Sequence, residues 1–415
     1  MIKRMPIYIG KKAVHESILF SQSLNKEKYL LVADSNTQRV LGQQVAHAFT
    51  GQGWDVLTVV LDSQALIADD RAVMQVLKEY DGQERIFLAV GSGTITDITR
   101  FASQRTRNVF LSFPTAASVD AYTSVNASIT IGKLKRSIVC SPPIAIFSDL
   151  VVISAAPKRL TASGFGDLCA KFTSTADWKL SHVLWDADFD EQIYQSGLQA
   201  DRSVAAQVEA IADGEENGMR EMIKAQFTSG FCMADFGRSD PASGLEHHIA
   251  HVWEMQAHWR GQHSFLHGEA VAAAVLHTAG LYEGLRALDK GKAARRLNDA
   301  AVPARSEQEH HMRTHLAPIA ETLIAEKPIY WQLADQQVFR LIKERILDEW
   351  DAIQEIAAQV PPAESLRDWF VQVGTPTTPQ QIGVNAADAQ LGYTYAHYLR
   401  ERFSIGILAK LFGLN

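Results

Sequence analysis

The sequence predicts an α/β N-terminal half, built on a doubly wound parallel sheet, followed by an all-α C-terminal half. Three observations carry that expectation. Short apolar runs rich in β-branched residues alternate with amphipathic segments through the first part of the chain, the pattern of buried parallel strands with crossover helices. Beyond Arg159 the spacing is helical and strand signals are few. The 415 residues are 47% hydrophobic and 21% charged, ordinary globular composition with room for two cores.

The strands come in order. "YLLVADS" (Tyr29–Ser35), "WDVLTVVL" (Trp54–Leu61), "RIFLAVGS" (Arg85–Ser92) and "NVFLSFPT" (Asn108–Thr115) are apolar runs that end in small, polar or proline residues. Amphipathic stretches such as "TQRVLGQQVAHAFTGQG" and "DDRAVMQVLKEYDGQ" lie between the first three. "SITIGKLKRSIV" predicts a hairpin around Gly132, with Lys133, Lys135 and Arg136 as either an anion contact or a solvated basic turn. "DQQVFRLIKERILDEWDAIQEIAAQV" (Asp335–Val360) typifies the helical half. The change of pattern falls within Val151–Gly164, giving expected domains of 1–157 and 158–415. A cleft between the two is a natural place for cofactor and substrate.

Composition excludes several classes. A net charge of −7 without a long basic block argues against nucleic-acid binding. No apolar run approaches the roughly 20 residues that span a bilayer, so no membrane association is expected. The start, "MIKRMPIYIGKKAVHESILF", lacks the continuous apolar stretch and small-residue cleavage site of a signal peptide. Cys140, Cys169 and Cys232 are distant and odd in number, fitting reduced thiols rather than disulfides. A cytoplasmic protein is the expectation.

Four constellations bear on chemistry. Gly91, Ser92 and Gly93 follow a predicted buried strand and precede a helix. There backbone N–H groups meet a dinucleotide pyrophosphate, although an ordinary strand–helix turn has the same signature. Asp34 ends an earlier strand, where a carboxylate holds ribose hydroxyls or simply caps a turn. Asp97 reads as first-turn charge placement. "SFPTAASVDAYTSVNASITIG" (Ser112–Gly132) is a hydroxyl-rich loop whose one carboxylate is Asp120, suited to a substrate hydroxyl or a proton relay; a solvated Ser/Thr loop is the plain alternative.

The fourth constellation is "SGLEHHIAHVWEMQAHWRGQHSFLHGEA", with His247, His248, His251, His258, His263 and His267. His247 and His251 are four apart, as are His263 and His267, so each pair shares a helical face where helix continues. Three protein ligands with open positions are the catalytic metal pattern, commonly completed by a carboxylate. Asp167, preceded by Gly164 and Gly166 in "TASGFGDLCAKFTSTADW", is the local candidate, with Lys171 four residues later. His248 and His258 fall off the shared faces.

Taken together, "VGSGTITDITRF", "SFPTAASVDAYTS", "SGFGDLCAKFTSTADW", "SGLEHHIAH", "FLHGEAVAAAV", "GTPTTPQQIG" and "LGYTYAHYLRERFS" resemble, in order and spacing, the sn-glycerol-1-phosphate dehydrogenases of the dehydroquinate synthase-like, iron-containing alcohol dehydrogenase superfamily. The resemblance implies a Rossmann-like NAD(P)-binding domain and a helical metal- and substrate-binding domain. It implies a metal-dependent oxidoreductase interconverting dihydroxyacetone phosphate and sn-glycerol 1-phosphate. The cofactor would be NAD or NADP, with Asp34 leaning toward NAD, and the divalent ion zinc or nickel rather than iron.

Carried over by motif, Gly91, Ser92, Gly93, Thr94 and Ile95 would bind the cofactor, lined by Thr115, Ala116, Ala117, Ser118 and Ser124. Asp120 would face substrate. Asp167 would be both metal ligand and substrate contact, His247 and His267 metal ligands, and His251 a substrate contact. Lys171 stands where related iron-dependent alcohol dehydrogenases carry a fourth ligand, a histidine. The expected partner is a small-molecule phosphate substrate, and the expected assembly a homodimer. The alternatives are a glycerol dehydrogenase or a dehydroquinate-synthase-like cyclase on the same fold, and a non-catalytic metal- or nucleotide-binding protein.

Overall fold

The computed structural model describes residues 5–64, 66–131, 134–262 and 265–414. Gly132 and Lys133 of the expected hairpin turn, the side chain of Lys135, and His263 lie outside the described residues. The chain divides into two compact units, Met1–Leu168 with Arg202–Gly237, and Cys169–Asp201 with Arg238–Asn415.

Among the described residues the first unit has eight strands: β1 (Ile7–Gly10), β2 (Lys28–Asp34), β3 (Asp55–Leu61), β4 (Ile86–Gly91), β5 (Phe110–Pro114), β6 (Asn126–Ile131), β7 (Leu134–Val139) and β8 (Ala145–Asp149). Six form one sheet in the order β1-β8-β5-β4-β2-β3, every pairing parallel. The expected hairpin is present as antiparallel β6 and β7. Within the six-stranded sheet the strands legible in the sequence are β2 to β5. β1 and β8 were not: β1 has only four residues, and β8 runs directly into the helix Leu150–Ser154. Its apolar run therefore carries no period of its own.

The strands read as continuous apolar runs because both faces of the sheet are covered. Tyr29, Leu31, Ala33, Leu88, Val90 and Phe113 pack on one face. Leu30, Val32, Phe87, Ala89 and Phe110 pack on the other, the two-residue alternation of a pleated strand. Each fully excluded Leu or Phe contributes about 1.5–3 kcal/mol of burial. The chain steps from β2 outward to β3, then returns to the other side of β2 to lay down β4. That reversal makes the β2/β4 gap the switch point of the sheet, where ligands bind at strand carboxyl ends. Asp34 closes β2 and Gly91 closes β4.

Every regular element after Asp149 is helical among the described residues. The second unit centres on Lys171–Trp185, Leu245–Trp259 and His267–Arg286. Its buried polar hub is Asp177, whose carboxylate accepts the Leu245 N–H at 2.8 Å, the Ile405 N–H at 2.7 Å and the Tyr282 hydroxyl at 2.7 Å. Burial, reinforced by the nearby Glu246 charge, raises Asp177 to about 7 against those donors. The three cysteines are buried. No helix among the described residues is long and apolar enough to cross a membrane.

Candidate functional site

The glycine turn sits where the sheet topology favours a ligand. The helix Gly93–Arg105 begins directly after it, and no side chain caps its first turn at Ser92. Its opening N–H groups and dipole therefore suit an anionic phosphate. Ser92, Gly93 and Thr94 are partly accessible, whereas the Ile95 side chain is in the core, so Ile95 can meet a cofactor only through its backbone. On the adjoining strand end, the Thr115 N–H donates to the Gly91 carbonyl at 3.2 Å, which brings the start of the hydroxyl-rich loop alongside the turn.

That loop is fixed by buried clamps. The Tyr122 hydroxyl donates to the Ala116 carbonyl at 2.6 Å, and burial pushes its pKa well up. Arg100, fully buried, donates to the carbonyls of Asn126 (2.8 Å), Ala121 (2.7 Å) and Tyr122 (3.0 Å) while pairing with Asp97 at 2.9 Å. Asp97 thus holds the arginine that holds the loop. Ser118 and Ser124 are buried, with the Ser124 hydroxyl accepting the Asn126 N–H at 3.0 Å.

Asp120 and Asp167 meet in this unit: the Asp120 N–H donates to Asp167 Oδ2 at 3.3 Å, and the Ser229 hydroxyl donates to Asp120 Oδ2 at 2.7 Å. Two glycines make room. A Cβ at Gly164 would stand 1.9 Å from the Ala117 carbonyl oxygen, and one at Gly230 would stand 2.1 Å from Thr123 Oγ1. Gly164 is one of the two glycines that precede Asp167 in the sequence; Ser229 and Gly230 lie over a hundred residues from the loop they touch and had no local signal. Asp34 is used twice over in its turn, since Oδ1 accepts the N–H groups of Asn36 (2.8 Å) and Thr37 (3.0 Å). Oδ2 carries no hydrogen bond among the described residues.

In the second unit the helix Leu245–Trp259 carries His247, His248, His251 and His258, and His267 opens the helix packed against it. Ring centres of His247 and His251 are 6.2 Å apart, those of His247 and His267 5.4 Å, and those of His251 and His267 5.4 Å. Each of these rings turns Nδ1 to a carboxylate: His247 to Glu246 at 2.7 Å, His267 to Glu254 at 2.7 Å, and His251 to the other oxygen of Glu254 at 3.1 Å. Metal-ligating histidines carry such outer carboxylates, which fix the ring and leave Nε2 as the donor. The donor set fits a divalent ion.

Glu246 and Glu254 were not singled out in the sequence. The one available signal was spacing, Glu254 being three residues after His251. Glu246 is buried and also accepts the Gly244 N–H at 2.7 Å and the Thr173 hydroxyl at 2.8 Å. Burial works against its charge, but His247 and these donors hold it below the usual range. Glu269, of the "HGE" triplet, caps its own helix by accepting the Leu266 N–H at 2.8 Å. Asp167 lies in the last turn of the helix Lys158–Cys169 and Lys171 opens the next. Lys171 is buried, donating to the Ala242 carbonyl at 2.9 Å. His258 is partly buried toward the far end of its helix. His248 is buried and held well below the ordinary histidine range by desolvation, then by the charges of Arg402, Arg400, His251 and His247.

Comparison with known proteins supplies first the class and then the family. Residues 8–157 match the family model described as iron-containing alcohol dehydrogenase. Among solved structures, a 1,3-propanediol oxidoreductase superposes with a TM-score of 0.65 at 16% identity, covering 100% of this chain and 99% of that one. The fold is therefore the dehydroquinate synthase-like one of that class of oxidoreductases. The glycerol-1-phosphate dehydrogenase, NAD(P)+, of Geobacillus thermodenitrificans is 31% identical over 404 residues, 96% of this chain and 90% of that relative. The enzyme of the same name from Halalkalibacterium halodurans is 39% identical over 280 residues, 67% of this chain and 70% of that relative. The chain belongs to the glycerol-1-phosphate dehydrogenase family.

Proposed function

We propose that this protein is a metal-dependent oxidoreductase that interconverts dihydroxyacetone phosphate and sn-glycerol 1-phosphate with NAD(P)H and NAD(P)+. The observation that carries the reading is the trio of imidazoles whose Nδ1 atoms all rest on buried or half-buried carboxylates, in a chain of this family. Asp167, His247 and His267 would hold one divalent ion, zinc or nickel. Gly91 to Ile95, with Thr115 to Ser118 and Ser124, would bind the cofactor, and Asp34 would meet its ribose through Oδ2, favouring NAD.

When bound, the ion supplies Lewis acidity toward an alcohol or ketone oxygen, and the nicotinamide supplies the hydride acceptor or donor. The protein's own residues do the rest. Glu246 and Glu254 hold the tautomers that present Nε2. Alcohol oxidation releases a hydride, which the bound nicotinamide would accept, and a proton, which His251, backed by Glu254, would take. Ser229 holds the Asp120 carboxylate in one orientation toward the substrate. We further propose a cytoplasmic homodimer.

The test is NAD(P)+ reduction by the metal-reconstituted protein with sn-glycerol 1-phosphate and, separately, with glycerol. The reading expects turnover of the phosphate ester, abolished by a chelator and restored by zinc or nickel. Turnover of glycerol alone would move the protein to a glycerol dehydrogenase.

A further inference from the structure

The segment Arg400–Ser404, part of the motif "LGYTYAHYLRERFS", has no role in the site described so far. Arg402 is 5% exposed, and only its Nη2 is paired, at 3.1 Å from Asp240 Oδ2. That same oxygen is shared with Arg238 Nε at 3.4 Å, and Arg238 also reaches Asp188 at 3.6 Å. Arg402 Nε and Nη1 are buried without a hydrogen-bond partner, as are both ring nitrogens of His248 and the hydroxyl of Ser404. Buried polar groups are almost always satisfied in folded proteins, so the five orphaned atoms of Arg402, His248 and Ser404 call for a partner. The Asp240–Ala242 turn that meets Arg402 also receives the buried Lys171 ammonium, at the Ala242 carbonyl. His248 lies one residue from His247 on the helix Leu245–Trp259, near enough to Arg402 to feel its charge.

We infer that Arg402, with His248 and Ser404, forms an oxyanion subsite that receives the phosphate group of the substrate. This rests on the reading that the substrate is phosphorylated. A phosphate offers acceptor oxygens to guanidinium, imidazole and hydroxyl donors at once, and guanidinium is the side chain best matched to it. Asp240 orients the guanidinium through Nη2 without occupying the other two nitrogens. The proposed metal ligand His247 and the anion-facing His248 are then neighbours on one helix, which would set the distance between the ion and the phosphate.

The experiment compares wild type with Arg402→Gln, both metal-loaded and saturated with NADH so that the cofactor's own phosphate contacts are filled. Inorganic phosphate is titrated while thermal stability is followed, and reduction of dihydroxyacetone phosphate is measured beside that of unphosphorylated dihydroxyacetone. Phosphate should stabilise wild type saturably, and the variant should need about tenfold more. The variant should lose at least about tenfold in kcat/KM on the phosphate ester relative to its change on dihydroxyacetone, mostly in KM. Equal phosphate affinity in the two proteins, or an equal loss on both ketones, overturns the inference and leaves buried water as the partner of those donors. Should Arg402→Gln not fold, Ser404→Ala removes a single hydroxyl and should weaken phosphate about threefold; no change overturns the inference. A wild type that reduces dihydroxyacetone but not its phosphate, yet binds phosphate through Arg402, would contradict the proposed substrate and support the subsite.

Discussion

Asp120 and His247 are both placed for chemistry, but by opposite means. Asp120 stands on a loop that starts at the end of β5, and the loop is held by main-chain carbonyls taken up by Arg100 and Tyr122. His247 stands on a helix and is aimed by a buried carboxylate next to it, Glu246, which is itself tied to Gly244 and Thr173. In the first case, strand order and turn position fix the residue. In the second, a network of buried charges does, and the second design is the more fragile to a single substitution.

That contrast can be tested from its strongest effect downward. Asp167→Asn, which removes a proposed ligand but keeps the size of the side chain, should lower turnover by more than about 100-fold, beyond what outer-shell changes cost, with an unchanged circular dichroism spectrum; near-normal turnover would remove Asp167 from the metal set. Glu254→Gln touches His251 and His267 together, so metal affinity in a chelator competition should fall by about 10–100-fold. An unaltered affinity would mean the carboxylate does not orient the rings.

Asp177→Ala strips three buried donors of their acceptor and should cost about 3 kcal/mol in urea unfolding. The same carboxylate predicts a pH dependence. Its folded pKa of about 7 lies above the unfolded value of about 3.9, so its contribution is complete at low pH and is lost as pH rises through about 7. The slope between pH 5 and 7.5 should be shallower in Asp177→Asn; identical slopes would show that the carboxylate is ionised throughout. Ser229→Ala removes one hydrogen bond and should reduce kcat by about three- to tenfold, the mildest change, because the loop clamps remain.

Legibility followed the same divide. β2 to β5, the glycine turn and the hydroxyl-rich loop were readable because buried parallel strands write continuous apolar runs and their ends write glycine and serine. The short edge strand β1 and the helix-fused β8 were not, since neither has enough residues to show a period. In the helical unit the histidines were conspicuous but their carboxylates were not: Glu246 and Glu254 look like surface residues of an amphipathic helix until the tertiary fold buries them. Asp177, Ser229 and Arg402 act on residues more than fifty positions away in sequence, where no local pattern reaches.

The most direct measurement is NADH oxidation by the metal-reconstituted protein with dihydroxyacetone phosphate, followed by assignment of the product's configuration at C2. The account expects metal-dependent oxidation of NADH and a single enantiomer, sn-glycerol 1-phosphate. The opposite enantiomer, a racemate, or oxidation indifferent to metal would contradict it.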